Sequence, residues 1–416
     1  MDEAVEIPSH FLCPISLQLM RDPVTVSTGI TYDRESIERW LYSCKNGTCP
    51  VTKQLLSDAD PITPNHTLRR LIQGWCTLNA SQGIERIPTP KAPIDRAQIA
   101  KILIDGRKHA HMRLACLQQL RSIASGSERS RKILATTESG VMEFLVSIII
   151  SDHESTSVID EALHVLHNLD ISESNIKNLM KSGSRDELVS ALVRVMKTST
   201  NYQSRAHAII TLRSIFKIAD PMQLINIEHE FFQELVRVLS DQISQQASKA
   251  TLKLLVELCP WGRNRIKAVE GGVVPVLIEL LLSINNNSPD NRRSCELILI
   301  VLDQLSGCAD GREELLKHGA GLAIVSKKIL RVSHVASDRA VRVLSSVSRF
   351  SANSRVLQEM LQVGVVSKLC LVLQVESSPK TKDRAREILK LHSRVWRNSP
   401  CIPSHLLSSY PSNSSS

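Results

Sequence analysis

The stretch "FLCPISLQLMRDPV" (residues 11–24) decides how the N-terminal part of this chain is read. Cysteine, proline, isoleucine and serine follow one another as in a zinc-binding loop, but a hydroxyl stands where the second thiolate belongs. Some 35 residues later "CPVT" (residues 49–52) repeats the frame with the same replacement. A structural zinc site needs four Cys or His ligands, and two cross-braced sites need eight. This region offers Cys13, Cys44, Cys49 and Cys76 with His10 and His66, and no adjacent pair has metal spacing. Ser16 and Thr52 occupy the paired positions, and neutral hydroxyls bind zinc poorly but hydrogen-bond well. The expectation is a metal-free head held by hydrogen bonds and ion pairs. Asp22, Asp33, Arg34, Glu35, Glu38 and Arg39 supply the charges.

Around these loops the local signals are consistent. "DPVTVSTGITYD" sets two β-branched runs about Ser27-Thr28-Gly29, which predicts a hairpin. Asp33 is placed to cap a helix, "RESIERWLYSC", with Ile37, Trp40 and Leu41 on one face. A last amphipathic helix in "ITPNHTLRRLIQGWC" carries Leu68, Leu71, Ile72 and Trp75. Residues 81–95, "SQGIERIPTPKAPID", hold three closely spaced prolines and read as a linker of limited flexibility.

Beyond the linker the chain repeats. A small residue followed four positions later by leucine recurs at Cys116/Leu120, Ala162/Leu166, Ala208/Leu212, Ala250/Leu254, Cys295/Leu299, Ala340/Leu344 and Ala385/Leu389. Successive starts are 46, 46, 42, 45, 45 and 45 residues apart. Such a pair lies on one helix face and lets a neighbouring helix approach closely. A second series places Gly140, Gly272, Gly321 and Gly364 just before apolar helices, where glycine turns the chain in the left-handed conformation. Two helical series sharing one period define an α-solenoid of the armadillo or HEAT type, with the repeats near 183–240 degenerate. The fold class is thus mainly α: a small α+β head at 6–80, the linker, six to seven repeats over 96–398, and a flexible tail at 399–416. The tail's "SSYPSNSSS" has too little apolar surface to order itself.

Composition narrows the function. Aromatics are 3% of the chain and net charge is +9. Residues 1–80 hold seven Lys/Arg and nine Asp/Glu, so they carry −2 and the remainder +11. No Lys/Arg run or aromatic-interleaved basic strip supports nucleic-acid binding. No apolar run approaches membrane-spanning length, and "MDEAVEIPSH" lacks the order of a signal peptide, so no stable membrane insertion is expected. Ten scattered cysteines without a C-x-x-C read as reduced thiols of a cytoplasmic chain, with the nucleus open to it.

Residues 6 to about 80, with "IPSHFLCPISLQLMRDPVTVSTGITYDRESIERWL", "CPVTKQ" and "TPNHTLRRLIQ", resemble the U-box, a zinc-free relative of RING domains. Joined to repeats whose "GGVVPVLIELL" resembles armadillo sequences, the chain is similar to the plant U-box/armadillo ubiquitin ligases. The resemblance implies a partner, a ubiquitin-conjugating enzyme carrying thioester-linked ubiquitin. It would dock on Ile15 and Leu17 of the first loop, Pro50 of the second, and Trp40 on the intervening helix. Lys53 would orient the carried ubiquitin, although lysine lacks the planar fork of arginine. On the residues alone, Ile15 and Leu17 also fit a plain core, and Trp40 also fits an inward position beside Ile37. Cys13 and Cys49 read as structural, with no histidine to activate either as a nucleophile. Asn65 is implied to bridge the two loops by its amide. No cofactor is expected. The armadillo surface would hold the protein substrate, and self-association is left open. The alternative is a non-catalytic armadillo scaffold. A nuclear-import receptor fits poorly, since only Trp261 and Trp396 lie in a basic array. Thr63 and Thr89 precede prolines, and a phosphate on Thr89 would put nearly two negative charges in the linker.

Overall fold

The protein is described from a computed structural model. The structure describes residues 7–43, 46–56, 62–80, 84, 96–126, 128–151, 154–169, 175–177, 185–225, 227–285, 288–397, 399, 402–403, 406 and 410–411. Thr89, Cys44, Cys401 and the linker other than Ile84 lie outside the described residues. The chain divides into two compact units, Met1–Arg185 and Asp186–Ser416.

The hairpin forms where the sequence places it. Strand β1 (Pro23–Thr25) pairs antiparallel with β2 (Thr31–Asp33), and β3 (Thr63–Pro64) adds to the other edge of β1. Gly29 closes the turn at φ +82°. The helix after β2 is shorter than expected: α1 spans Arg34–Glu38, and the chain then widens into a π turn, Arg39–Ser43. Helix α2 (His66–Leu78) buries Ile72 and Cys76 on the core, with Leu68 and Trp75 partly buried against it. Leu71, expected on that face, is 55% exposed instead. Cys13, Val24, Tyr32, Ile37 and Cys49 complete the centre of the core.

The repeats follow. In the first unit lie α3 (Arg96–Lys108), α4 (Arg113–Gly126), α5 (Glu128–Ala135), α6 (Val141–Ile150) and α7 (Thr156–Asn168). The second unit continues with α8 (Arg185–Thr198), α9 (Tyr202–Lys217), α10 (His229–Asp241), α11 (Gln245–Leu258), α12 (Gly262–Glu270), α13 (Val273–Ser283) and α14 (Pro289–Leu305). It ends with α15 (Ala309–Lys317), α16 (Gly321–Lys328), α17 (His334–Phe350), α18 (Ser354–Gln362), α19 (Val365–Gln374), α20 (Pro379–Leu391) and α21 (Ser393–Trp396). Every residue of the seven small/leucine pairs is buried, on α4, α7, α9, α11, α14, α17 and α20. Within each unit these helices stack in order: α4 on α7, then α9 on α11, α11 on α14, α14 on α17 and α17 on α20. The degeneracy near 183–240 has a structural counterpart, because a short 3-10 turn, Pro221–Leu224, precedes α10.

Two expectations need correction. Gly140, Gly272 and Gly364 are left-handed (φ +67°, +85° and +75°) before α6, α13 and α19. Gly321 is not: it opens α16 itself, and a Cβ there would stand 2.1 Å from the Leu315 carbonyl oxygen. Close approach, not φ, demands that glycine. The tail is not wholly without a core either. Ile402, Leu406 and Tyr410 are buried, and the Tyr410 hydroxyl donates to the Leu389 carbonyl at 2.8 Å. These three side chains, spaced at four residues, are withdrawn from solvent, and the last of them, Tyr410, is tied to α20.

The head and the first repeats also belong to one unit. The π turn packs on α5, and buried Glu38 feels both Arg34, at 3.8 Å, and Arg129 of α5. Burial raises the Glu38 carboxyl above its ordinary value against the pull of these two arginines.

Candidate functional site

The two cysteine loops are built alike. In the first, the Cys13 N–H donates to the Gln18 carbonyl (2.8 Å) and the Leu17 N–H to the Cys13 carbonyl (2.8 Å). In the second, the Cys49 N–H donates to Gln54 (2.8 Å) and the Lys53 N–H to Cys49 (2.9 Å). Bridges Leu12–Leu19 and Thr48–Leu55 close them. Both loops turn through a left-handed residue that is not glycine, Leu17 at φ +55° and Lys53 at φ +60°. Such a conformation costs an L-residue roughly 1–2 kcal/mol. Both of these strained residues carry their side chains into solvent.

Consecutive residues of β2 anchor both loops. The Asp33 N–H donates to Cys13 Sγ (3.3 Å), and Asp33 Oδ1 accepts from the N–H groups of Arg21 (2.8 Å) and Asp22 (2.9 Å). The carboxylate thus leaves the α1 cap position unbonded and holds the first loop, which corrects the expected capping role. Tyr32, buried, places its hydroxyl 3.0 Å from Cys49 Sγ and accepts from the Val51 N–H at 3.3 Å. The Thr28 hydroxyl donates to the same sulfur at 3.3 Å. Burial opposes ionisation of Cys49, but the hydroxyls of Thr28, Thr52 and Tyr32 and the Thr52 N–H overcome it and bring the thiol down to about 6. At Cys13 burial again opposes, and the N–H groups of Ser16, Asp33 and Ile15 with the Ser16 hydroxyl outweigh it. Ser16 and Thr52 each direct a hydroxyl and an N–H at the cysteine of their own loop. Among the described residues no group of three or more His, Cys, Asp or Glu is arranged to hold a metal ion.

Arg34 and Asp22 close a half-buried ion pair at 2.5 Å, whereas Arg39–Glu35 lies in solvent and contributes little. Asn65 does not bridge the loops. Its Oδ1 caps α2 through the Leu68 N–H (3.0 Å), and its Nδ2 reaches the hydroxyls of Thr31 (3.3 Å) and Thr25 (3.4 Å) on the hairpin.

Trp40 faces neither fully inward nor fully outward. Its Nε1 donates to the Thr48 carbonyl at 2.8 Å, which pins the indole beside the second loop. The Lys53 ammonium lies 6.0 Å from the ring centroid. Ile15 is partly buried on the core, Pro50 is half-exposed, and Leu17 is 74% exposed. The structure thus joins Trp40 and Lys53 directly and removes Leu17 from the core. Sequence reasoning missed Tyr32 and Thr28, and it missed Val51 and Leu55, apolar yet 52% and 85% exposed. The signal for Val51 was present, an apolar residue immediately after Pro50 in a polar loop, whereas Leu55 lies five residues past that proline.

Residues 7–81 match the U-box domain, and residues 97–412 match the plant U-box protein ARM repeat region. The chain therefore belongs to the plant U-box family with armadillo repeats, and is a U-box E3 ubiquitin-protein ligase, a class that works with a conjugating enzyme. The E3 ubiquitin-protein ligase PUB23 of Arabidopsis thaliana is 53% identical over 411 residues, covering 99% of this chain and 98% of the relative. The Arabidopsis thaliana ligase PUB22 is 50% identical over 440 residues, covering 99% and 100%. A solved structure from work on a phosphorylation switch between cadherin and beta-catenin matches 79% of this chain and 59% of its own, at TM-score 0.57 and 15% identity. That likeness concerns the helical-repeat fold alone.

Proposed function

We propose that a ubiquitin-charged conjugating enzyme docks on Ile15, Leu17, Trp40, Pro50 and Lys53, and that the armadillo repeats hold the protein substrate. The supporting observation is the pinned Trp40 with the Lys53 ammonium over its ring, beside loops whose Leu17 and Val51 stand exposed. Covering an exposed leucine contributes about 1.5–3 kcal/mol, so a few such contacts give a weak, reversible complex suited to repeated exchange of spent for charged enzyme. Lys53 contributes by restraining the carried ubiquitin. The substrate lysine amine then attacks the thioester carbonyl, the C–N bond forms, and the enzyme's cysteine leaves as thiolate. No covalent intermediate on the ligase is required, and Cys13 and Cys49 are spoken for in the core.

The test is reconstituted ubiquitination with activating enzyme, a conjugating-enzyme panel and a zinc chelator, for wild type, Ile15→Ala and Pro50→Ala. Folding of both variants is checked by circular dichroism. Chelator-resistant activity that falls in the folded variants is the expected result. Full activity in both variants would refute the docking face, and loss of activity on chelation would refute metal-free loops.

A further inference from the structure

The positive charge of the second unit is not spread over it. The five stacked helices that carry the small/leucine pairs, α9, α11, α14, α17 and α20, hold 15 Lys and Arg against 7 Asp and Glu, a net +8. The rest of residues 186–416 holds 15 against 14, a net +1. One helix series therefore carries nearly the whole excess, and α17 and α20 carry +5 of it.

Ion pairs tie neighbouring helices of this strip together, with α14, itself two Lys/Arg against three Asp/Glu, supplying acidic partners. Arg339 Nη1 and Arg342 Nε both donate to Asp303 Oδ2 on α14, at 2.8 and 2.6 Å, so one carboxylate faces two guanidinium groups. Arg349 of α17 meets Glu387 of α20 at 2.7 Å. The Arg342 and Arg349 side chains remain 40% and 49% exposed. Each pairing fixes a guanidinium in place while the strip keeps its excess, which is how a basic groove is preorganised.

We infer that this strip binds an extended acidic segment of a partner protein. The inference rests on the reading that the repeats hold the substrate, and it names the chemistry of what they hold. Helices about 8–10 Å apart give five of them a span of roughly 36 Å, which an extended chain at about 3.3 Å per residue crosses in ~11 residues. Nucleic acid fits less well. Of the Tyr, Phe and Trp side chains on these helices, Phe216 is buried, and Tyr202 on α9 and Phe350 on α17 stand exposed, each with an arginine at its ring. Two rings on separate helices do not make the series of aromatic platforms that single strands use.

The experiment uses the full chain and a fluorescent peptide of about 11 residues alternating glutamate and serine, read by anisotropy. A lysine–serine peptide, oligo-dT and phosphatidylserine vesicles are run beside it. The acidic peptide binds at low salt, weakens as salt rises, and loses roughly tenfold in affinity in the Arg342→Gln/Arg349→Gln double variant. Arg263→Gln/Arg355→Gln, which removes the same two charges from exposed positions on α12 and α18, leaves binding as it was. No binding of the acidic peptide, equal binding by the double variant, or tighter binding of oligo-dT or vesicles would each overturn the inference. Wild-type self-ubiquitination is measured in parallel. Its absence sinks the parent reading, while its presence without peptide binding sinks the acidic strip alone.

Discussion

Tyr32→Phe isolates the hydroxyl that ties the second loop to the sheet. The ring is wholly buried and phenylalanine keeps its packing, so the change removes two hydrogen bonds and little else. Because the hydroxyl accepts from Val51, its own proton is directed at Cys49, whose ordinary value of 9 is brought down to about 6. A hydrogen bond to an ionised acceptor contributes about 1.5–3 kcal/mol and an uncharged one about 0.5–1.5, so the loop loses about 2–4.5 kcal/mol. At roughly 1.4 kcal/mol per factor of ten, local opening becomes about 30- to 1600-fold more frequent. Hydrogen exchange reads this directly, at the N–H groups of Cys49, Lys53 and Leu56, which donate to Gln54, Cys49 and Gly47. The peptide covering residues 46–56 exchanges faster by that factor, and α20 keeps its rate. Exchange within about twofold of wild type would show that the hydroxyl cage does not hold the loop.

Three further outcomes follow from the same geometry. Leu17→Gly relieves the φ +55° strain and stabilises the first loop by up to about 1 kcal/mol, yet removes the exposed apolar contact, so protection rises while ubiquitination falls; retained activity would refute the contact. Gly321→Ala drives a Cβ into the Leu315 carbonyl and lowers the thermal midpoint of the repeats, whereas Gly47→Ala, with open space around it, leaves it unchanged; equal midpoints would refute the steric reading. The folded-state depression of Cys49 stabilises the second loop fully above the unfolded value near 9 and is lost as pH falls through about 6. Its opening free energy, corrected for intrinsic exchange, is therefore larger at pH 8 than at pH 6 by up to about 1.4 kcal/mol per pH unit, and Cys49→Ser abolishes the slope.

The repeats were legible because their signal is redundant. A lost leucine in one helix leaves six others to define the period, and all seven pairs are buried. The loop pair was legible for the same reason, being written twice. What escaped was written once. Asp33 stands at a cap position, but only the fold places the Arg21 and Asp22 N–H groups within its reach. Asn65 meets Thr25 and Thr31 across 40 and 34 residues of sequence, a contact no local pattern encodes. Leu71 obeys the helical period and still faces solvent, since period cannot say which side has a partner. Tyr410 sits in a serine-rich stretch whose average polarity conceals one anchoring hydroxyl.

The cage around Cys13 and Cys49 also changes how the ligase is assembled. A loop closed by a bound ion forms in a second-order step, has an empty form, and answers to every competing chelator and ion in its surroundings. Here the groups that close the loops arrive with the backbone, at an effective concentration set by chain connectivity. Closure of the two loops is then a unimolecular event, and its equilibrium answers to pH through Cys49.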